Sequence, residues 1–411
     1  MLSTSFIKNN KEKILKCLNL RNFRFKNIIN YILYLNKKKI LIKTKIDYYS
    51  RIINKYSKKF SKKLENNNLF YKNILRIKKK KKEKKKIFNN INKKIRNKIL
   101  LIPNILNKIY LKKKIKKKKI IYKYGDINKK NNKNYLTHIE LAKYNEIFDT
   151  SLASSISGTG FVIYTGKGLR LYNALVKYFL YYNNQKGYKE YKLPYLVNKY
   201  SLYGTGQYPQ KKEQIYNITK DNLYLIPTGE VPLINIYKNK NFNYNVLPIK
   251  AQSYTTCFRR EAGSYGKKVK GLNRIHQFGK VEIIEICDNE NSNRRLYNML
   301  KHIKNLLQSL KLIFRILLLP PHDITLTSSI TYDFEVYSIG QKRWLEVSSL
   351  SNCLDYQSYN LNIRYKKNNK INYCHTLNGS SLSIPRMIAT IVEFYQNNNK
   401  IEIPRILLPY Y

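Results

Sequence analysis

Phe258-Arg259-Arg260-Glu261-Ala262-Gly263-Ser264, followed after a basic loop at Lys267 to Gly271 by Arg274-Ile275-His276-Gln277-Phe278 and the run Val281-Glu282-Ile283, is the stretch on which the fold turns. It reads as strand, charged loop, strand, and such a hairpin is a cradle for a triphosphate. Guanidinium groups bind phosphate bidentately, a carboxylate accepts from adenine's amino group, and a phenyl ring stacks on the base. Taken alone, the same residues also fit a charged surface hairpin. Working outward, strand-like runs recur at Phe161-Val162-Ile163-Tyr164, Asn222 to Ile226, Val281 to Cys287 and Arg343 to Ser348, while Leu169 to Tyr181 and Ser383 to Tyr395 read as helices. Runs of strands with helices set to one side predict an α+β domain with a largely antiparallel sheet over residues 137–411. Neither G-x-G-x-x-G nor G-x-x-x-x-G-K-[ST] occurs, so the two common nucleotide folds lose their main support.

Three further clusters carry chemistry. Pro227-Thr228-Gly229-Glu230-Val231 sets a hydroxyl and a carboxylate at the end of a strand, suited to a small substrate bearing an ammonium and a hydroxyl. Trp344-Leu345-Glu346-Val347-Ser348-Ser349 offers Glu346 and Ser349 as oxygen ligands for one divalent ion. Thr376-Leu377-Asn378-Gly379-Ser380-Ser381 leads to a helix opening near Pro385-Arg386, where proline suits the first turn and the arginine can meet a phosphate. Each cluster alone has a plain reading as a turn or an alternating strand. Their order along the chain is the stronger signal.

Upstream the character changes. Apolar residues spaced four and three apart run Ile28, Ile32, Leu35, Ile42, Ile46, Tyr49, Ile53, Tyr56, Phe60, with Lys39 in the one gap. A polar break at Glu65 to Asn68 precedes a second seam, Phe70, Ile74, Ile77, Phe88, Ile91, Ile95, Ile99, Ile102, stopped by Pro103. The two seams predict an antiparallel two-helix coiled coil, an arm over about residues 27–102, roughly 50 Å long. Lys81 and Lys84 fall on seam positions within the basic run Lys78 to Lys86. The sequence thus divides into an N-terminal domain with its arm (1–110), a basic linker (111–136) and an α+β domain (137–411).

With 80 Lys+Arg against 24 Asp+Glu the formal net charge is +56, which implies a polyanionic partner. A strong AT bias in the coding sequence yields the same abundance of Lys, Asn, Ile and Tyr, so charge names no particular polyanion. The five scattered cysteines form no C-x-x-C pair, which argues against a disulfide framework or zinc site and for a reducing compartment. No uncharged apolar stretch has the ~18 residues of a membrane span. The first ten residues are too polar for a secretory signal, and the expected location is the cytoplasm, with no membrane partner.

The order of clusters resembles the class II aminoacyl-tRNA synthetases, and in detail the seryl-tRNA synthetase family, over essentially the whole chain. The match includes the hairpin ending in Ile102-Pro103-Asn104, then His138-Ile139-Glu140-Leu141, and Gly204-Thr205-Gly206-Gln207. Pro194 stands where the family's first motif, the dimer-interface motif, has its proline. Phe258 to Glu282 corresponds to the second motif and Thr376 to Arg386 to the third. The resemblance implies that Thr228, Gly229, Glu230, Glu282, Asn378 and Ser380 bind L-serine. It implies that Arg259, Arg260, Glu261, Phe278, Glu346, Val347, Ser348, Ser349 and Arg386 bind ATP, with Arg259 and Arg386 catalytic and Glu346 with Ser349 holding Mg²⁺. It also implies a homodimer charging tRNA(Ser) through the basic arm, with tRNA(Sec) left open as a second acceptor. His276 reads as structural. Departures are Gly229 in place of alanine, expected to loosen the turn, Ser381 in place of glycine, expected to crowd the ATP site, and Pro385 where glycine is frequent. None removes a catalytic group, which disfavours the alternative of a catalytically silent RNA-binding relative that keeps the fold.

Overall fold

The four-and-three spacing of apolar residues forms two long helices, Ile28–Ser61 and Asn68–Ile99, packed on each other as a hairpin. Ile46, Ile74, Ile91 and Ile95 are buried along the seam. The gap at Lys39 is closed by Phe88, whose ring centroid lies 5.9 Å from the ammonium. Lys81 and Lys84 are half-buried while Lys78, Lys79, Lys80 and Lys82 are exposed, as their positions on and off the seam require. The computed structural model describes the chain except residues 24–26, 62–67, 114, 129–133 and 263–270, together with the side chains of 59–61 and 68–70. The turn at Glu65 to Asn67, the seam positions Phe60 and Phe70, and most of the basic loop from Gly263 to Lys270 therefore lie outside the described residues.

The chain separates into two compact units, Leu2–Pro103 and Asn104–Tyr411 with Met1. The larger unit is built on an eight-stranded sheet: β1 (Lys119–Tyr124), β2 (Lys189–Glu190), β3 (Ile249–Phe258), β4 (Gln277–Cys287), β5 (Phe314–Leu318), β6 (Ile330–Ser338), β7 (Arg343–Asn352) and β8 (His375–Ser383), in the order β1-β5-β6-β7-β8-β4-β3-β2. Only β2 runs parallel to its neighbour β3; every other pair is antiparallel. Helices Gly166–Asn184, Ser292–Ser309 and Ile384–Phe394 pack against the sheet, giving the α+β architecture read from the sequence.

The structure differs from the sequence reading in the stretch that follows Pro103. Asn104 belongs to the larger unit, its side-chain amide donating to the carbonyls of Thr327 at 2.8 Å and Cys353 at 2.7 Å. The residues expected as linker supply β1, which pairs with β5 and stacks Tyr122 and Tyr124 on Phe314 with ring centroids 5.9 and 5.4 Å apart. The lysine run that leads into this strand, with Lys123 inside it, hid the strand, since an edge strand tolerates and exploits them. Among the five cysteines none forms a disulfide, and all are buried. Among the described residues no helix is long and apolar enough to cross a membrane.

Candidate active site

Strand β4 is buried from Gly279 onward and sets Phe278, Lys280 and Glu282 in line on one face, two residues apart. Two bulges in neighbouring strands complete that face. In the β6–β7 ladder Phe334 pairs with Ser348 and Glu335 with Glu346, leaving Val347 as the extra residue. Three residues apart on a regular strand, Glu346 and Ser349 would point to opposite sides; across the bulge both face the cleft. In the β4–β8 ladder Lys280 pairs with Ser383 and Glu282 with Ser380, so β8 carries the extra residue there. Leu382 takes up the irregularity at φ +73°, an uncommon conformation for a branched residue that a buried, fully packed site can hold.

The deeper part of the cleft, about 330 Å³, is lined by Thr228, Glu230, Glu282, Asn378 and Ser380, and further out by Arg259, Glu261, Glu346 and Ser349. Glu230 opens the helix Glu230–Asn235 and receives the side-chain amides of Gln357 at 2.7 Å and Gln207 at 3.4 Å. Burial, and then the neighbouring Glu282, push its carboxyl up to about 7, against the hydrogen bond from Gln357 and the charges of Lys280 and Lys211. The Thr228 hydroxyl donates to Glu282 at 2.8 Å and accepts from the Lys280 ammonium at 2.9 Å, while Lys280 also pairs directly with Glu282. Lys211 is exposed overall, yet it helps line the cleft. Burial there, and then Arg259, push it down to about 8.

A smaller recess of about 80 Å³ adjoins this cavity, lined by Phe278, Val347, Ser348, Pro385 and Arg386 and sharing Arg259, Glu261, Lys280, Glu346 and Ser380. The Arg259 guanidinium lies 5.1 Å from the Phe278 ring centroid and donates to the Pro227 carbonyl at 3.1 Å. His276 fixes the Arg259 backbone: its carbonyl accepts from the Arg259 N–H at 2.8 Å and its Nδ1 lies 2.9 Å from the Arg259 carbonyl. Arg386, in the first turn of Ile384–Phe394, donates to the carbonyls of Asn273 at 3.2 Å and Glu346 at 2.5 Å, and Glu261 pairs with Arg274. One buried network stands behind the recess. His138, capped in place by Thr137 and Glu140, accepts the Leu272 N–H at 3.1 Å and meets Glu393 at 2.8 Å. Burial would raise the Glu393 carboxyl, but hydrogen bonds from His138 and Ser338 outweigh it and hold it below the usual range.

The structure thus gathers every site residue read from the sequence into these two cavities except Gly229 and Arg260. Arg260 is exposed and lines neither. Gly229 sits at φ −61°, ψ −20°, angles open to any residue, so no special backbone conformation calls for glycine there. What glycine supplies is room, since a Cβ would lie 2.7 Å from the Thr255 hydroxyl oxygen. Ser381 does not crowd the nucleotide side: it is buried on the opposite face and donates to Asn183 Oδ1 at 3.1 Å. Sequence reasoning missed Lys280, Lys211 and Gln357. Lys280 was findable, standing midway between two assigned residues of one strand; Gln357 reaches the site only through the tertiary fold.

Among the described residues no group of three or more His, Cys, Asp or Glu could hold a metal ion. Glu346 and Ser349 offer two hard oxygen donors, the number Mg²⁺ uses where substrate phosphates complete its shell. Beneath them Asp333 is 4% exposed, hydrogen-bonds Ser349 and keeps its Oδ1 without a partner. That donor set fits a phosphate-bound Mg²⁺.

Residues 214–395 match the family model for the tRNA synthetase class II core domain (G, H, P, S and T). The chain is 37% identical to the serine–tRNA ligase of Methylacidiphilum infernorum, over 100% of this chain and 97% of that protein. It is 40% identical to the serine–tRNA ligase of Wigglesworthia glossinidia brevipalpis, over 100% and 98%. The solved structure of seryl-tRNA synthetase from Pyrococcus horikoshii complexed with ATP is similar with a TM-score of 0.88 and 25% identity, covering 100% of this chain and 98% of that one.

Proposed function

The chain belongs to the seryl-tRNA synthetase family and is a serine–tRNA ligase, and we propose that the cleft on β4, β7 and β8 is where it makes seryl-adenylate. One observation carries this reading: a pocket with two buried carboxylates opens directly into a recess with two arginines and an aromatic ring. Serine lies in the deeper part, its ammonium between Glu230 and Glu282 and its hydroxyl among Thr228, Asn378 and Ser380. A site built to hydrogen-bond a hydroxyl rejects the analogue lacking it by ~10⁴-fold or more, which excludes alanine. ATP lies in the recess, with adenine on Phe278 and against Glu261, and phosphates toward Arg259 and Arg386.

The serine carboxylate attacks the α-phosphorus in line and pyrophosphate departs; a terminal tRNA hydroxyl then takes the seryl group. No protein nucleophile is needed, and the enzyme contributes alignment and cationic stabilisation of the phosphoryl charge. Glu346 and Ser349 would hold Mg²⁺, which supplies charge neutralisation on the phosphates when bound. The basic arm binds tRNA(Ser), and the protein works in the cytoplasm as a homodimer. An apolar strip supports the dimer: Leu152 is 57% and Ile156 76% exposed beside a cavity of about 320 Å³ that Phe161, Leu169 and Tyr172 help line, and Pro194 is exposed as well.

Serine-dependent ATP–pyrophosphate exchange tests the site without tRNA. Arg259→Ala and Arg386→Ala should each lower it by ~10²–10³ while thermal unfolding stays cooperative. Near-normal exchange in either variant would overturn the assignment. Absence of exchange in the unmodified chain would favour the silent RNA-binding relative.

A further inference from the structure

We propose that Lys280 is a catalytic residue whose ammonium engages the junction between the seryl carboxylate and the α-phosphate, an inference that rests on the cleft assignment above. Phe278, Lys280 and Glu282 occupy one face of one strand, about 7 Å apart from each to the next. With the base on Phe278 and the serine ammonium on Glu282, the bond being made must pass over the residue between them. That residue is Lys280, which alone of the three lines both cavities and brings a cation to each.

Its present pairing explains how it is kept ready. Lys280 is 7% exposed, and a buried ammonium is costly unless paired. Here it is held by the Thr228 hydroxyl at 2.9 Å and by the Glu282 carboxylate. Glu282 is also the group the substrate ammonium needs. Two ammonium groups on one carboxylate repel, so entry of serine displaces Lys280, whose flexible four-carbon stem lets it turn toward the neighbouring phosphate. Serine binding thereby delivers a cation to the place where charge develops. In the step itself a carboxylate oxygen of serine forms the new bond to the α-phosphorus. The bond from that phosphorus to the α,β-bridging oxygen breaks, and pyrophosphate leaves with the electron pair. No proton moves; Lys280 keeps its three and stabilises the non-bridging oxygens.

The competing role is a purely structural counter-ion to Glu282, and the test separates the two. Lys280→Met should lower kcat of serine-dependent pyrophosphate exchange by ~10²-fold or more. Calorimetry should show serine alone binding to this variant as tightly as to the unmodified protein or more tightly, because Glu282 is released. A non-hydrolysable seryl-sulfamoyl adenosine should bind at least ~10-fold more weakly. A structural counter-ion predicts the reverse, serine affinity falling in parallel with kcat, and that result overturns the proposal, as does a kcat within threefold of the unmodified enzyme. If Lys280→Met does not fold, Lys280→Gln keeps a donor to Thr228 without the charge and is judged by the same criteria. Arg259→Ala, run alongside, tells the two layers apart. If it is inactive while Lys280→Met is active, only the lysine proposal fails; if both are active, the cleft assignment itself fails.

Discussion

Acidification from pH 8 to pH 6 should weaken serine binding about tenfold, and Glu230 sets that figure. Its carboxyl is pushed up to about 7 in the empty pocket by burial and by Glu282. The substrate ammonium binds the ionised form, so roughly nine in ten molecules are competent at pH 8 and one in eleven at pH 6. Calorimetric titration with serine in two buffers of different ionisation enthalpy should show about one proton released per serine at pH 6 and almost none at pH 8. Glu230→Gln removes the effect and keeps Lys211, which is pushed down to about 8 and titrates at the upper edge of the window. The same burial has a signed consequence for stability. The folded-state value lies above the 4.5 of an exposed glutamate, so the folded protein holds the extra proton between the two. The contribution to stability is full below pH 4.5 and is lost as pH rises through about 7. Above that, holding the ionised group costs about 3 kcal/mol. Glu230→Gln loses one of the two amide donors, worth ~1 kcal/mol, so at pH 8 it should stabilise the empty protein by about 1–3 kcal/mol in denaturant unfolding. Serine affinities at pH 6 and pH 8 within a factor of two, or a variant less stable than the parent at pH 8, would refute the reasoning.

Deleting Asn27 to Leu101 and bridging the gap should leave pyrophosphate exchange largely intact and nearly abolish tRNA charging, because every residue assigned to serine, ATP or metal lies at Thr228 or beyond. Exchange lost together with charging would contradict the division. Replacing Lys78 to Lys82 with Gln should weaken tRNA binding and flatten the slope of log affinity against log salt by somewhat under one unit for each phosphate no longer neutralised. Helicity must be followed by circular dichroism, since Lys81 is half-buried on the seam, and an unchanged slope would leave the lysine run as a solvated face. Leu152→Asp with Ile156→Asp should convert a dimer to monomers in light scattering at micromolar concentration; a dimer that survives must use another surface.

The arm was legible because a seam repeated over many turns constrains each position several times, so the lysines at 39, 81 and 84 could be placed as exceptions to it. The order of β4, β7 and β8 was legible through short polar clusters that no ordinary strand needs. What escaped were features that one strand does not encode. β1 reads as linker until Phe314 offers its ring, and Gln357 reads as a surface amide until the fold brings it 2.7 Å from Glu230. Lys280 escaped for another reason: a lysine in so basic a chain attracts no notice, although its place between Phe278 and Glu282 marked it and burial beside Glu282 sets it apart.

The bulge at Val347 acts as a phase shift written into β7. Before it, positions facing the larger cavity have even numbers, as with Glu346; after it they are odd, as with Ser349 and Ser351. A saturation scan of this strand should therefore show tolerance to apolar substitution changing parity at residue 347, not alternating regularly throughout. Deleting Val347 would restore regular pairing with Glu346 and Ser349 two residues apart and still on one face, whereas one further residue inserted between them would carry one of the pair to the far side of the sheet. A one-residue deletion at the bulge is thus the change this strand should absorb, and a one-residue insertion beside it the change it should tolerate least.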